Sequence, residues 1–241
     1  MMIYGRSAAS VAKQNGTPVE EAEEFEKKYL DSKPAMKKFI ESTHEFVQEH
    51  GYVTTVPGFR RWLREIWSTD RGASTKALRQ SVNTIIQGTG AFLTNNAVFY
   101  INQYFINKGM KSRVVLTVHD SVVVDSPKEE AYLSGQYAVY IMEHLPFEWL
   151  YAEHNGERVR YPIEAEDSIG VNYNDMVDFN PEDFKTFKSP QAYCNYNMLL
   201  VGLDDLRENG KFNNENGDFD EEAYNKALAE IEGKKSAYQQ Q

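Results

Sequence analysis

The stretch VVLTVHDSVVVDS, residues 114–126, decides the fold that the sequence predicts. Its two apolar, β-branched runs are typical of paired strands, and the polar residues His119, Asp120 and Ser121 stand where a turn is required. Asn-Gly or Asp-Gly would suit a two-residue hairpin better, so this choice of residues has two explanations. Either this is an ordinary turn, or the hairpin holds Asp120 at its tip for a chemical purpose.

The composition predicts a soluble, cytoplasmic protein. The 241 residues allow one large domain or two small ones, and the 41% of hydrophobic residues are enough for a core. A single cysteine, Cys194, excludes a disulfide within the chain and suits a reducing compartment. The first residues, MMIYGRSAAS, contain no apolar signal-peptide core, and no apolar run has the length of a membrane span. We therefore expect no membrane partner.

The net charge of −10 is distributed unevenly along the chain. Residues 171–241 carry 7 basic and 14 acidic groups, a net −7, which leaves a net −3 for residues 1–170. No Asp or Glu occurs in the 49 positions 71–119, which contain six Lys and Arg residues. Because a surface that contacts phosphates excludes carboxylates, this acid-free segment is a candidate nucleic-acid contact despite the negative total.

Local signals predict the elements before this segment. Thr17-Pro18-Val19-Glu20 has the pattern of a capping box that opens a helix running to about Ser32. Pro34 opens a second helix, which Gly51 closes. YVTT is expected as a short strand and VPGF as a turn.

The rest of the chain is predicted as three helices, one strand and a loop-rich end. The helices cover about 74–107, 128–143 and 220–232, and the strand lies near Tyr161 in YPIEAEDSIG. After Asn180 the sequence is rich in Asn and in acidic residues and is expected to be loop-like, apart from the last helix.

The helix predicted over 74–107 has two unlike faces. On a helical wheel, Leu78, Val82, Ile85, Ile86, Phe92 and Leu93 fall on one side, and Lys76, Arg79, Asn83, Gln87 and Gly90 fall on the other. The polar side is either an ordinary solvated face or a nucleic-acid contact. Solvated faces normally mix Glu with Lys, whereas Asn and Gln at this spacing can reach the acceptors that all base pairs show in the minor groove. Gly88 and Gly90 would let a duplex approach the backbone.

Asp120 is a candidate Mg²⁺ ligand, although a turn Asp is usually structural. Mg²⁺ prefers oxygen ligands and binds through one or two carboxylates together with substrate phosphates. Two-metal phosphoryl transfer generally needs a second carboxylate, and Asp125 across the hairpin is not a convincing one. The sequence contains no zinc pair, EF-hand loop, phosphate-binding glycine loop or nucleophile elbow.

Taken together, these stretches resemble the C-terminal fingers and palm portion of a family A, polymerase I-like DNA polymerase of the bacteriophage type. The resemblance covers about residues 2–176. It rests on ordered segments: IYGRSAASVAKQNGTPVEEAE resembles the end of motif B and the following fingers helices, GYVTTVPGFRR the Gly-Tyr-Val stretch, ALRQSVNTIIQGTGA the palm helix, VVLTVHDSVVV motif C, and IGVNYND the terminal strand. It implies an α+β fold, with a helical fingers part and an antiparallel-sheet palm part of an incomplete polymerase right hand.

The resemblance also implies roles for single residues. Asp120 would be a catalytic ligand of Mg²⁺, with His119 beside the primer terminus. Arg79, Asn83, Gln87 and Lys76 would contact the DNA template-primer, Gln87 from the minor-groove side. Tyr4 and Gly5 would lie at the nucleotide site, where the incoming dNTP binds.

Two departures from the family pattern limit what the chain is expected to do alone. Ser121 stands where motif C usually has Glu. The motif A Asp and the Arg and Lys that hold the triphosphate would lie upstream of Tyr4 and have no counterpart here. We therefore expect an N-terminal polymerase polypeptide carrying motif A and the start of motif B, encoded by a split or intron-interrupted gene, to be required for activity in the host cytoplasm.

The sequence predicts a division into three parts and leaves three functions open. Residues 1–70 are assigned to the end of the fingers and a connecting hairpin, 71–176 to a palm part with the long DNA-contacting helix and motif C, and 177–241 to an acidic extension of unknown role. The preferred function is nucleotidyl transfer from dNTP to a primer 3′-hydroxyl with two Mg²⁺ ions. The alternatives are a non-catalytic DNA-binding remnant or accessory subunit, and a globular protein with chance motif matches.

Overall fold

Helices and short antiparallel strand pairs build the chain, in agreement with the expected α+β class. The computed structural model describes residues 8–214 and 216–240. Its contacts divide the chain into two units, residues 1–95 and 96–241. The helices are α1 (Ala8–Asn15), α2 (Val19–Asp31), α3 (Pro34–His50), α4 (Arg71–Asn107), α5 (Ala131–Glu143), α6 (Pro181–Phe184), α7 (Pro190–Glu208) and α8 (Glu221–Glu232).

The described strands form four separate two-stranded antiparallel sheets. In chain order the strands are β1 (Tyr52–Thr54), β2 (Arg60–Trp62), β3 (Arg113–Val118), β4 (Ser121–Asp125), β5 (Tyr151–His154), β6 (Glu157–Arg160), β7 (Ser168–Gly170) and β8 (Met176–Asp178). A β-hairpin buries little by itself. The β1–β2 pair contacts α3 and the β7–β8 pair contacts α7, whereas the strands β3 to β6 contain no buried residue.

The capping box predicted at Thr17 does not form. Gly16 has φ +68° and the Thr17 N–H donates to the Ala12 carbonyl at 3.0 Å, which is the closing turn of α1. Thr17 therefore belongs to the end of α1, and α2 begins at Val19 after Pro18 without a side-chain cap.

The core of the first unit joins α3, the β1–β2 hairpin and the start of α4. Gly51, at φ +72°, ends α3 as predicted, and its N–H donates to the Val47 carbonyl at 2.8 Å. The hairpin then follows directly, with Thr55–Gly58 as its turn. The buried side chains of this core are Val47, Val53, Leu63, Ile66 and Ala77, with Leu78 and Ile85 packed against them.

Helix α4 begins at Arg71, three residues before the predicted start, because Asp70 caps it. The Asp70 Oδ1 accepts the Gly72 N–H at 2.8 Å, and the Asp70 carbonyl accepts the Ser74 N–H at 3.1 Å. Its predicted end at Asn107 is confirmed, and Gly109 follows at φ +66°.

In the second unit the sequence reasoning missed one hairpin. Strands β5 and β6 are joined by Asn155 and Gly156, at φ +53° and φ +81°, which is the two-residue turn that Asn-Gly favours. The strand expected near Tyr161 is shorter than predicted: within this stretch the strand covers Ser168–Gly170, which pairs with β8. Helix α5 begins at Ala131 rather than at residue 128, because residues 128–130 form a turn.

The expectation of a loop-like chain after Asn180 is wrong. Helix α7 has 19 residues, is capped by the Ser189 hydroxyl, and lies over a core of its own. That core contains Val177, Phe187, Ala192, Tyr193, Cys194 and Tyr196. The predicted last helix is confirmed as α8, with Asp220 as its N-cap.

Candidate functional site

Asp120 lies at the tip of the β3–β4 hairpin, as the sequence predicts. Val118 pairs with Ser121, so His119 and Asp120 form a two-residue turn in which His119 has φ +55°. Both side chains are exposed. The Ser121 hydroxyl donates to the Val118 carbonyl at 2.8 Å and helps to close the turn. The Asp120 carboxylate is therefore open to a ligand, whereas the Ser121 hydroxyl already has a partner.

A polar network fixes the other end of this hairpin. The Glu130 carboxylate accepts the N–H groups of Lys111 and Ser112, at 2.9 Å and 2.8 Å, and the Ser112 hydroxyl at 2.6 Å. The Ser112 hydroxyl is also 2.8 Å from that of Ser126, which is 2.8 Å from that of Ser134. Hydrogen bonds from the Lys111 backbone and from Ser112 hold the pKa of Glu130 below its ordinary value. The network joins both strands to the start of α5 and so orients the tip.

The hairpin provides one carboxylate for a metal ion, not two. Asp125 pairs with Arg113 at the end opposite the turn. Four to five residues of extended chain separate it from Asp120, a distance of about 15 Å. Within residues 8–214 and 216–240, no group of three or more His, Cys, Asp or Glu side chains is arranged to hold a metal. An Asp carboxylate has the oxygen ligands that Mg²⁺ prefers, and an ion held at Asp120 would need further ligands from outside this hairpin.

The polar stripe of α4 forms a groove with the β1–β2 hairpin. A pocket of about 400 Å³ is lined by Arg61, Gln80, Asn83, Thr84, Gln87 and Gly88. Arg61 enters it from β2, and its Nη1 donates to the Thr84 Oγ1 at 3.0 Å. Thus the structure brings two predicted residues, Asn83 and Gln87, together with an arginine that the sequence reasoning did not single out. The groove is lined by amide, hydroxyl and guanidinium groups without a carboxylate.

Gly88 has a different role from the one expected of it. A Cβ at this position would lie 2.7 Å from the Thr55 Cγ2, so the residue lets the hairpin, and not a duplex, approach α4. A Cβ on Gly90 would meet nothing within 4 Å, and that part of the helix remains open.

The other predicted site residues are dispersed. Lys76 is exposed and Arg79 is half-buried on α4, and neither lines the groove. His119 and Asp120 belong to the second unit and the groove to the first. Tyr4 and Gly5 lie outside the described residues.

A known protein family matches most of this chain. The model of DNA polymerase family A matches residues 1–175, which include the groove and the hairpin. The chain belongs to DNA polymerase family A, and the resemblance inferred from its motifs is confirmed. Residues from Met176 onward, including α7 and α8, lie outside the match.

Individual relatives agree with this assignment. A DNA polymerase of Bacillus phage SP01 is 38% identical over 170 residues, which are 69% of this chain and 18% of the phage protein. DNA polymerase I of Borreliella burgdorferi is 37% identical over 54% of this chain and 14% of its own length. The chain therefore spans less than a fifth of these relatives.

A solved structure gives the same result for the fold. The POL domain of Pol1 from M. smegmatis, in complex with DNA primer-template and dNTP, superposes with a TM-score of 0.56 at 29% identity. It covers 59% of this chain and 25% of the Pol1 chain. Separately, no helix in the described part of this chain is long and apolar enough to cross a membrane.

Proposed function

We propose that this chain is the C-terminal fingers and palm part of a template-directed DNA polymerase. In this proposal residues 1–70 complete the fingers, 71–176 form part of the palm, and 177–241 are an added region. The observation that carries it is the groove in which Arg61 lies beside Asn83 and Gln87. A duplex product would lie against this groove.

The chemistry of the groove suits DNA of any sequence. Side-chain amides can donate to the acceptors that A·T and G·C pairs both present in the minor groove, so they contact the duplex without selecting a sequence. Arg61, Arg79 and Lys76 would contact phosphates, and the missing carboxylates remove repulsion. A polymerase needs this combination because it must move along every template.

Asp120 supplies one half of the metal site in this proposal. Bound Mg²⁺ neutralises phosphate charge and makes the primer hydroxyl a better nucleophile. Asp120 would hold the ion together with phosphate oxygens and a carboxylate from another polypeptide, and His119 would position the primer end. Tyr4 and Gly5 would contact the incoming dNTP, which a polypeptide carrying the motif A Asp and the triphosphate-binding Arg and Lys would help to bind.

DNA binding by the groove is the direct test. Replacing Gln87 with Ala removes a minor-groove donor, and one hydrogen bond corresponds to a three- to tenfold loss of affinity, or roughly 1 kcal/mol. Fluorescence anisotropy with a blunt-ended DNA duplex measures this loss. Gln103→Ala, an exposed glutamine farther along α4, is the matched control. Equal affinities for both variants and the unmodified chain would count against the groove.

Catalysis is tested by reconstitution. The 241-residue chain alone is expected to give no primer extension, because it brings a single carboxylate to the metal site. Adding a polypeptide with the second carboxylate should give extension, and Asp120→Asn should abolish it. Extension by the chain alone, or full activity of the reconstituted Asp120→Asn variant, would refute the assignment.

A second candidate is a non-catalytic DNA-binding subunit derived from a polymerase. The hydroxyl of Ser121, bonded to the Val118 carbonyl, favours it, because the usual acidic residue is replaced by a group that closes the turn. Under this alternative the groove binds duplex normally and reconstitution never restores extension.

A further inference from the structure

The β1–β2 hairpin has two faces with different chemistry. Side chains alternate along a strand, and the register pairs Tyr52 with Trp62, Val53 with Arg61 and Thr54 with Arg60. Val53 is buried and Arg61 enters the groove, so this pair faces α4. The two other pairs therefore form the opposite, outer face of the hairpin, which has no role in the duplex groove.

Aromatic rings and guanidinium groups share this outer face. The Tyr52 and Trp62 rings are 5.1 Å apart between centroids. The Arg60 guanidinium lies 4.2 Å from the Tyr52 ring and 5.9 Å from the Trp62 ring, and that of Arg64 lies 5.3 Å from Trp62. Phe46 extends the row from α3, at 5.4 Å from Tyr52. Rings and cations thus alternate across one continuous surface.

This surface is exposed and its positive charge is not neutralised within the described part of the chain. Trp62 is 52% exposed, and a ring of this size is usually covered. Arg60 and Arg64 have no carboxylate within 4.0 Å among the described residues. Two arginines beside an exposed tryptophan are therefore available to a ligand.

We propose that the outer face of the hairpin binds single-stranded DNA. Bases would stack on Trp62 and on the guanidinium planes, and Arg60 and Arg64 would pair with the phosphates between them. Aromatic platforms interleaved with cations bind single strands without sequence preference, because every base has a π-face. That the strand is the unpaired template rests on the proposed function. Binding of a single strand as such does not.

Two features favour a single strand over a protein partner. The cations lie at the rings themselves and not at a rim, which suits a ligand that alternates bases with phosphates. The surface also lies on the same hairpin as the groove, with Trp62 directly after Arg61 on β2. In this proposal the face with Trp62 binds unpaired DNA, and the face with Arg61 binds paired DNA.

The experiment uses the full 241-residue chain and a fluorescein-labelled ten-residue oligothymidylate. Trp62→Ala should weaken binding about tenfold, and Trp62→Tyr, which keeps a stacking ring, should restore most of it. Tyr161→Ala is the matched control, since Tyr161 is an exposed ring, 57%, in the second unit. Equal affinities of Trp62→Ala and Tyr161→Ala for the oligomer would overturn the proposal, and so would a protein partner that Trp62→Ala releases while oligomer binding stays intact.

Salt dependence tests the arginines separately from the ring. The slope of log affinity against log salt should fall by about 0.7 for each of Arg60→Gln and Arg64→Gln. Lys28→Gln, an exposed cation on α2, should leave the slope unchanged. Blunt-duplex affinity should stay constant in the Trp62 variants, and oligomer affinity should stay constant in Gln87→Ala. Loss of duplex binding alone in Gln87→Ala and of oligomer binding alone in Trp62→Ala separates the two sites, so each can fail without the other.

Discussion

The hairpin-and-helix region of the first unit, residues 52–95, and the C-terminal region, residues 177–240, contain two contrasting arrangements of a cation beside aromatic rings. In the first, Arg60 lies on the half-buried ring of Tyr52 and Arg64 on the exposed ring of Trp62, without a carboxylate partner in the described structure. In the second, Lys235 pairs with Asp183 at 2.7 Å and lies 5.6 Å from the rings of Phe187 and Tyr196. The charge of Arg60 and Arg64 is left available to a ligand, whereas that of Lys235 stabilises the fold.

The aromatic residues show the same contrast. Tyr193 is 1% exposed, and its hydroxyl donates to the Asp178 carbonyl at 2.8 Å and accepts the Asn180 N–H at 2.9 Å. Trp62, by contrast, is half exposed. The C-terminal region lies outside the family match, and its buried residues form a core that also takes in Ile169 of the matched part. Strand β7 pairs with β8, so this region is joined to the rest of the second unit, and we expect it not to extend the DNA surface.

The largest expected effect is at Tyr193. Tyr193→Ala removes a buried ring and leaves two backbone groups without a partner, which should lower the free energy of unfolding by about 3–5 kcal/mol. Urea denaturation followed by circular dichroism measures it. Tyr193→Phe keeps the ring and should cost about 1–2 kcal/mol. If the folded Tyr193→Phe variant lost affinity for duplex or for oligothymidylate, the C-terminal region would take part in DNA binding, contrary to the contrast between the two regions.

Asp167 should make the second unit less stable as the pH rises. Burial raises the pKa of its carboxyl from 3.8 to about 6, against the lowering effect of the Ser168 N–H. The folded state therefore holds the proton more tightly than the unfolded state. Stability is full below pH 3.8 and falls as the pH rises through 6, by about 2–3 kcal/mol in total.

Asp167→Asn removes this titration. The variant should be more stable than the unmodified chain at pH 7 and about equal to it at pH 4, as measured by thermal unfolding at the two values. If the stability difference between the variant and the unmodified chain were the same at pH 4 and pH 7, burial would not raise the pKa of Asp167.

The Lys235–Asp183 pair should contribute more than a fully exposed pair. Its side chains are 33% and 29% exposed, whereas those of Lys28 and Glu24 on α2 are 74% and 65% exposed. Lys235→Gln should lower stability by about 1 kcal/mol, because it also loses the contacts with two rings. Lys28→Gln is the matched control and should cost about 0.3 kcal/mol. Equal costs would show that the rings around Lys235 add nothing.

Elements with a local signal could be predicted from the sequence. Gly51 marks the end of α3, and the polar residues at 119–121 mark the tip of β3–β4. Asn155-Gly156 carried an equally clear signal, so the hairpin β5–β6 was predictable although it was missed. Helix α7 also had a local start signal, Ser189 as N-cap followed by Pro190, and it was missed because the chain around it is rich in Asn and acidic residues.

The residues of the candidate site likewise fall into those with a local sequence signal and those without one. Asn83 and Gln87 follow from helical spacing and the absence of acids, and Asp120 from its place between two strands. The roles of Arg61 and Glu130 depend on tertiary contacts: the register of β1 and β2 turns Arg61 towards Thr84, and Glu130 meets backbone groups nearly twenty residues away. Pattern analysis does not provide such contacts.

The smallest expected effect contrasts one lysine from each region. Lys76 on the acid-free helix has no carboxylate within 4.0 Å among the described residues, whereas Lys185 pairs with Glu182 at 2.8 Å. If cations of the first region contact phosphates, Lys76→Gln should reduce the salt slope of duplex binding by about 0.9, and Lys185→Gln should leave it unchanged. Anisotropy titrations between 50 and 200 mM salt, ~3 points per variant, are enough to separate these slopes. A slope change in Lys185→Gln would mean that the C-terminal region reaches the DNA despite its acidic charge, and the division between the two regions would have to be abandoned.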